Sequence, residues 1–183
     1  MKGRVEVRGP LLAVLALVTS CTGGGQTMPA FSLTNQSGQT VRTEDLRGHV
    51  AVVSFLFTSC HDVCPLITGQ LAMVQAKLET QGLAPRVRFV SITVDPSTDT
   101  PDVLARFATG FRVNLATWHF LTGPPDEVAR VLRGLDVVTG SGGPVGHTSP
   151  VLLVDREGRI VERSTDVDLD PERVIPKIRR LLG

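Results

Sequence analysis

The sequence contains no tyrosine, and aromatic residues of all kinds make up only 4% of its 183 residues. Its core must therefore be built mainly from valine, leucine, isoleucine and phenylalanine. It also lacks a surplus of either charge: the formal net charge is +1 and the basic residues are dispersed, which argues against a nucleic-acid partner. Charged residues at 20% and hydrophobic ones at 42% are ordinary globular values, which argues against a disordered chain. The length suits one domain.

The apolar run near the N-terminus, residues 11–18, is far shorter than the ~20 residues with which a helix crosses a bilayer. Its flanks are basic before the run and small after it: Lys2, Arg4 and Arg8, then Thr19 and Ser20. A basic start, a short apolar centre and a small-residue exit are typical of an export signal. We therefore expect residues 1–20 to be a signal peptide.

Cys21 stands directly after that segment. The order Val18-Thr19-Ser20-Cys21 resembles the bacterial lipobox, in which the cysteine is lipidated and becomes the first residue of the mature protein. The alternative is an ordinary cleaved signal that happens to contain a cysteine. Lipidation is favoured because a segment suited to a flexible tether follows, giving a lipidated tether over residues 21–28 and a domain over residues 29–183. The protein is then expected to be exported and held on the outer side of a bacterial membrane.

Of the three cysteines, Cys60 and Cys64 remain as a pair in an oxidising compartment. The apolar run of residues 50–57 predicts a strand buried on both faces, and a helix with one apolar face is predicted from Pro65 onward. Cys60 thus follows a strand and Cys64 immediately precedes a helix. At a helix N-terminus, free N–H groups and the helix dipole stabilise thiolate.

The rest of the mature chain alternates strand and helix patterns. An N-terminal hairpin comes first, and later elements are expected at these ranges: strand 87–94, helix 101–111, strand 118–121, helix 126–133, hairpin 151–161 and a last helix capped by Asp170. Pro176 is expected to kink that last helix or to delay its start. This alternation predicts an α/β fold with helices flanking a central mixed sheet.

The spacing of Cys60 and Cys64 leaves three kinds of site open: a redox pair, a clamp for a soft metal ion, or a stabilising disulfide. The last is disfavoured, because so small a loop removes little entropy from the unfolded chain. His147 ends the glycine-rich stretch 134–146 and precedes the predicted strand 151–154. Two cysteines and one histidine would suit Cu(I), with room for another ligand on Cu(II).

Four stretches in order resemble the Sco (SenC) family. They are Phe55 to Pro65 with both cysteines, Ser91 to Pro101, Trp118 to Gly123, and His147-Thr148 ahead of Leu153-Val154-Asp155. The resemblance covers essentially everything from Phe31 onward. It implies a thioredoxin-like fold, in which the loop that ends at His147 lies beside the dithiol.

The same resemblance implies one copper ion per protein, as Cu(I) or Cu(II), held by Cys60, Cys64 and His147. It further implies a metallochaperone that delivers copper to, or prepares the cysteines of, the binuclear copper centre of cytochrome c oxidase. The expected partners are the copper-centre subunit of the oxidase and, in addition, another copper chaperone or a thiol reductant. A carrier is favoured over an enzyme.

Two residues depart from the family pattern. His61 stands between the cysteines where proline is common, and it is either an accessory copper ligand or an exposed loop residue. Gly146 replaces an acidic residue before His147, which removes a partner that would orient the histidine. Asp62 either tunes the cysteines or caps the helix. Asp95 and Asp99 are expected to shape their loop and cap the next helix, and Trp118 to lie in the core.

Other functions that use the same dithiol remain open. A metal-independent thiol–disulfide oxidoreductase, which would reduce oxidase subunit cysteines with Cys60 and Cys64, would have no need of His147. A peroxidase is disfavoured because Phe57 stands where peroxiredoxins place threonine. A copper or redox sensor finds no supporting output domain in the sequence.

Overall fold

The computed structural model describes residues 25–137, 150–165 and 169–183. Within these ranges the chain forms one mixed sheet with helices on both faces. The strands are β1 (Ser32–Asn35), β2 (Thr40–Arg42), β3 (Val50–Leu56), β4 (Val87–Thr93), β5 (Trp118–Thr122), β6 (Val151–Val154) and β7 (Ile160–Ser164). The α-helices are α1 (Val63–Thr80), α2 (Pro101–Thr109), α3 (Pro125–Gly134) and α4 (Pro171–Leu182), and short 3-10 helices cover Thr43–Leu46 and Ala84–Arg86.

The strand order is β2-β1-β5-β4-β3-β6-β7. The three central strands β3, β4 and β5 are parallel, whereas β1 and β6 run antiparallel to the strands they flank. The predicted α/β fold with a mixed sheet and an N-terminal hairpin is confirmed. Every residue of β3 is buried, as expected for a strand whose sheet is covered on both faces.

The two faces of the sheet form separate cores. Helices α1, α2 and α4 pack on one face, and α3 packs on the other, where the buried side chains Leu33 and Val41 of the N-terminal hairpin also lie. Trp118 lies in the first core and is fully buried, as predicted. Its ring stacks between Phe89 and Phe120 at centroid distances of 5.0 and 5.3 Å, and its indole N–H donates to Ser91 Oγ at 2.9 Å. This hydrogen bond satisfies the one polar atom of the side chain.

The helix starts follow the capping residues in the sequence. Thr100 Oγ1 accepts a hydrogen bond from the Val103 N–H, and the Asp170 carboxylate accepts one from the Glu172 N–H. A delayed start of α4 was wrong, because the helix begins at Pro171 and continues through Pro176. The apolar side chains that α4 buries before and after that proline keep the segment on the core despite the missing N–H.

Both ends of the sheet have a distinct set of helix termini. We call the end where β3, β4 and β5 finish the carboxyl end, and the end where they start the amino end. Helices α1 and α2 each connect parallel strands, so both begin at the carboxyl end and return to the amino end. α3 begins directly after β5, and α4 ends with its Leu182 carbonyl bound by Arg86, just before β4. No helix among the described residues is long and apolar enough to cross a membrane.

Helix α1 offers a matched test of the packing. Leu71 is 1% exposed, whereas Met73 on the same helix is 55% exposed. We expect Leu71→Ala to lower the free energy of unfolding by about 2–5 kcal/mol, because it leaves a cavity in the core. Met73→Ala should change it by less than about 0.5 kcal/mol. Urea unfolding of both variants measures this, and equal effects would contradict the assigned faces of the helix.

Candidate functional site

The two cysteines lie at the carboxyl end of the sheet, in the connection from β3 to α1. Cys60 belongs to the loop and is half-buried, and its N–H donates to the Phe57 carbonyl at 3.1 Å. Cys64 is the second residue of α1 and is 1% exposed. The sequence predicted a helix from Pro65 onward, so the helix begins two residues earlier than predicted and includes Cys64. The helix begins at Val63 because first-turn N–H groups need no intrahelical partner, so Pro65 fits inside that turn.

The α1 N-terminus gives Cys60 an unusual environment. Burial has the largest single effect on its thiol and raises the pKa. The backbone N–H groups of Cys64, Asp62 and Val63 and the side chain of Cys64 act in the opposite direction, so the pKa of Cys60 lies below its usual value. Hydrogen bonds to the charged form explain this direction. The sequence predicted such thiolate stabilisation, and for Cys60 the structure confirms it.

Cys64 has the opposite character. Burial is the main cause that raises the pKa of its thiol to about 12; the neighbouring Cys60 and the negative charge of Asp99 act in the same direction, against one hydrogen bond from the Phe57 backbone. The two side chains are close enough for each to shift the pKa of the other, and both cysteines are free thiols. One sulfur is therefore prepared as a nucleophile, while its partner keeps its proton at neutral pH.

Asp99 is a site residue that the sequence interpretation missed. Its carboxylate is 1% exposed and accepts two hydroxyl hydrogen bonds of 2.5 Å, from Thr58 and from Thr93. The Thr58 N–H also lies 3.2 Å from each carboxylate oxygen. The expected helix-capping role was wrong, because Thr100 caps α2. A signal was available: Asp99 follows β4, the parallel neighbour of the strand that leads to the cysteines.

The other candidates lie in several places. His61 and Asp62 are exposed beside the cysteines, and Asp62 occupies the N-cap position of α1 without a side-chain capping bond. His49 lies before β3, at the amino end of the sheet. His147 and Cys21 fall outside the described residues, as does most of the glycine-rich stretch before His147.

The described residues show which side chains near the cysteines could bind a metal ion. Two neighbouring free cysteines suit a soft ion such as Cu(I). Among the residues in ranges 25–137, 150–165 and 169–183, no group of three histidine, cysteine or carboxylate side chains is placed to hold a metal.

Comparisons with known proteins agree with this arrangement. A solved structure of BsSco, described as a member of the Sco family of cytochrome c oxidase assembly proteins and as having a disulfide switch, matches with a TM-score of 0.77 at 29% identity, over 86% of this chain and 94% of that one. A SCO1/SenC family lipoprotein from Bacillus anthracis matches with a TM-score of 0.78 at 30% identity, over 87% and 96%. These likenesses confirm the thioredoxin-like fold.

A further match is copper-bound ScoI from Bradyrhizobium japonicum, with a TM-score of 0.72 and 28% identity over 85% of this chain and 99% of that chain. In sequence, the SCO1 protein homolog of Bacillus subtilis is 30% identical over 176 residues, which cover 88% of this chain and 89% of the relative. The SCO1/SenC family model matches residues 20–183. The chain therefore belongs to the SCO1/SenC family.

Proposed function

We propose that the protein is a copper metallochaperone that serves the binuclear copper centre of cytochrome c oxidase. Copper is the cargo, one ion per protein, held by Cys60, Cys64 and His147. The protein is exported and anchored on the outer side of the membrane through lipidated Cys21. The observation that carries the proposal is the placement of two free cysteines at the α1 N-terminus, close enough for each to shift the pKa of the other. Copper-bound relatives of the same fold support it.

The chain's own residues explain how such a pair takes up and releases a cation. Backbone N–H groups hold the Cys60 sulfur ready in its charged form. The Cys64 thiol, with a pKa of about 12, must lose its proton when the sulfur becomes a ligand, so binding releases a proton. The reverse transfer is favoured when that proton returns. Because a proton competes with copper for the Cys64 sulfur, the raised pKa of this thiol makes copper binding reversible.

Asp99 positions the loop that carries Cys60. Thr58, two residues before that cysteine, donates both its N–H and its hydroxyl to the buried carboxylate. The Thr93 hydroxyl, at the end of β4, donates to the same carboxylate and fixes it to the sheet. The cysteine loop is thereby tied to a central strand. This tie limits the distances that the Cys60 sulfur can adopt relative to α1.

A second candidate function is favoured by the unequal thiols. In a thiol–disulfide reductase, the Cys60 thiolate attacks a disulfide of the target, which forms a mixed disulfide and releases one target thiolate. The Cys64 sulfur then attacks Cys60, releases the second target sulfur and gives its proton to it. The protein is left with a Cys60–Cys64 disulfide, and an external thiol reductant restores it. This function needs no metal.

Whether His147 binds copper distinguishes the metallochaperone from the thiol–disulfide reductase. If His147 binds copper, His147→Ala should weaken Cu(II) binding at least about a hundredfold and abolish or shift the thiolate-to-copper absorption. His49→Ala is the matched control, because His49 lies at the other end of the sheet. Metal titration followed by absorption spectroscopy measures both variants. Unchanged Cu(II) binding in His147→Ala would remove the copper assignment and leave the reductase.

The pKa values predict an ordered reactivity of the metal-free protein. Between pH 6 and 9, iodoacetamide should modify Cys60 at a rate that rises with pH and levels off before the pH at which an ordinary thiol does, since its pKa is lowered. Cys64 should react at least about a hundredfold more slowly throughout, because its pKa is about 12 and its side chain is buried. Peptide mass spectrometry distinguishes the two sites. Equal rates would contradict the assigned roles.

The threonines on Asp99 give a matched pair for its positioning role. Thr58→Val and Thr93→Val each remove one 2.5 Å hydroxyl bond to the carboxylate, but only Thr58 lies on the cysteine loop. A hydrogen bond to a charged group is worth about 1.5–3 kcal/mol. We therefore expect Thr58→Val to lower Cu(I) affinity by roughly tenfold or more in a competition assay with a chelator.

Thr93→Val should lower the free energy of unfolding while changing Cu(I) affinity much less. Thr58→Ser, which keeps the hydroxyl, should restore the affinity. Equal losses of affinity in both valine variants would show that Asp99 stabilises the fold without positioning the cysteine loop.

A further inference from the structure

The described chain begins at the amino end of the sheet, opposite the dithiol. The Gln26 carbonyl accepts from the Ile160 N–H at 2.7 Å, and the Met28 N–H donates to the Gly158 carbonyl at 2.9 Å. Thr27 forms an antiparallel bridge with Arg159. The turn that carries these partners follows β6, whose last residue pairs with Ala51 near the start of β3. Residues 26–28, which the sequence assigned to the tether, are therefore fixed to the domain.

The distance from this point to the proposed anchor is short. Cys21 precedes Gln26 by five residues. Such a span reaches at most about 18 Å, because an extended chain advances roughly 3.3–3.6 Å per residue. The seven residues of β3 place the cysteine loop about 23 Å away, at the far end of the sheet. A lipid on Cys21 thus keeps the amino end close to the membrane surface.

Three arginines with neutral partners lie at this same end. The exposed Arg47 donates to the Glu157 carbonyl at 3.3 Å, and the exposed Arg156 donates to the Gly48 carbonyl at 3.3 Å. Arg88, paired with Ala51 in the sheet, donates to the Pro85 and Val87 carbonyls. Within the described ranges, none of the three has a carboxylate at ion-pair distance.

Nearby carboxylates offset part of this charge without pairing with any of these three arginines. Asp155 and Glu157 both pair with Arg159, at 2.7 and 3.3 Å. Glu44 and Asp45 lie on the preceding 3-10 helix, where Asp45 accepts the Arg42 N–H. Two further basic groups at the amino end donate to neutral oxygens as well: Arg86 to the Leu182 carbonyl and Arg179 to Gln81 Oε1.

The helices add a polarity along the same axis. Acidic residues occupy the first turns of α2 and α3, near the carboxyl end: Asp102, Asp126 and Glu127. Basic residues occupy the last turns of α2, α3 and α4, toward the amino end: Arg106, Arg133, Arg179 and Arg180. Lys77 in the last turn of α1 is paired with Glu172 in the first turn of α4. This arrangement complements each helix dipole. Because the helices begin toward one end of the sheet, the charges of their last turns add to the basic amino end.

We propose that the amino end of the sheet, with Arg47, Arg88 and Arg156, is a membrane-facing surface that binds anionic phospholipid headgroups. The inference deepens the proposed function, because it rests on the lipid at Cys21. The lipid on a lipobox cysteine attaches the chain to the membrane but does not by itself orient the domain, and a basic surface beside it adds an electrostatic attraction to anionic headgroups that does. The consequence is an orientation: the dithiol points away from the bilayer, toward a target domain that stands above the membrane.

The test uses the lipidated full-length protein in vesicles of phosphatidylcholine, with or without 30% phosphatidylglycerol. Hydrogen exchange is measured at 0.05 M and 0.5 M salt. With phosphatidylglycerol at low salt, amides around residues 47–49 and 156–158 should exchange several-fold more slowly, and amides of the dithiol loop should not change. High salt should remove the protection, because exposed charges are then screened.

Charge variants separate electrostatics from structure. Arg47→Gln combined with Arg156→Gln should lose most of the protection, because each basic residue near an anionic surface contributes about fivefold to binding. Arg47→Lys with Arg156→Lys keeps the charge and should keep the protection. Equal exchange on both kinds of vesicle, loss in the lysine pair, or absence of lipid on Cys21 would each overturn the inference.

Copper binding is measured on the same samples and keeps this inference separate from the proposed function. The glutamine pair should bind copper as the unchanged protein does, because Arg47 and Arg156 lie at the opposite end of the sheet from Cys60. Unchanged copper binding in His147→Ala together with the expected vesicle protection would contradict only the proposed function.

Discussion

The parallel pairing of β3 with β4 is the constraint on which the rest of the structure depends. Seven residue pairs, from Val50–Val87 to Leu56–Thr93, bring the ends of both strands to the same end of the sheet. The loop after β3 carries Cys60, and the loop after β4 carries Asp99. Because the strands end side by side, a buried carboxylate from one loop reaches the backbone of the other. A shift of this register would separate Asp99 from Thr58 and release the cysteine loop.

The environment of the dithiol differs sharply between its two sulfurs. Cys60 meets the free N–H groups of a helix start, which favour thiolate, whereas Cys64 lies in the first turn of the helix against the core, where burial opposes charge. The same asymmetry serves either candidate function. It gives a metal carrier a ligand that releases a proton on binding, and it gives a reductase an attacking sulfur and a protonated reserve. The cysteine pair alone therefore does not distinguish the metal carrier from the reductase, whereas copper binding by the proposed third ligand, His147, would.

The sequence predicted the fold well because its signals were strong and local. A nearly continuous apolar run marked β3, and Thr100 and Asp170 marked the starts of α2 and α4. The role of Asp99 was not predictable in the same way, since a polar residue two positions before the first proline of a helix has the local appearance of a capping residue. Its burial against Thr58 depends on a partner 41 residues away in the chain. The continuation of α4 through Pro176 likewise reflects core packing that outweighs a local preference. The roles of His147 and Cys21 remain predictions from the sequence.

The central claim is that both cysteines, with one histidine, hold a copper ion at the carboxyl end of the sheet. X-ray absorption at the copper edge tests it most directly, because the fine structure distinguishes sulfur from nitrogen and counts each. On protein loaded with one equivalent of Cu(I), the account predicts two sulfur neighbours and one nitrogen neighbour of the imidazole type. A copper ion with a single sulfur neighbour, or with none, would contradict it.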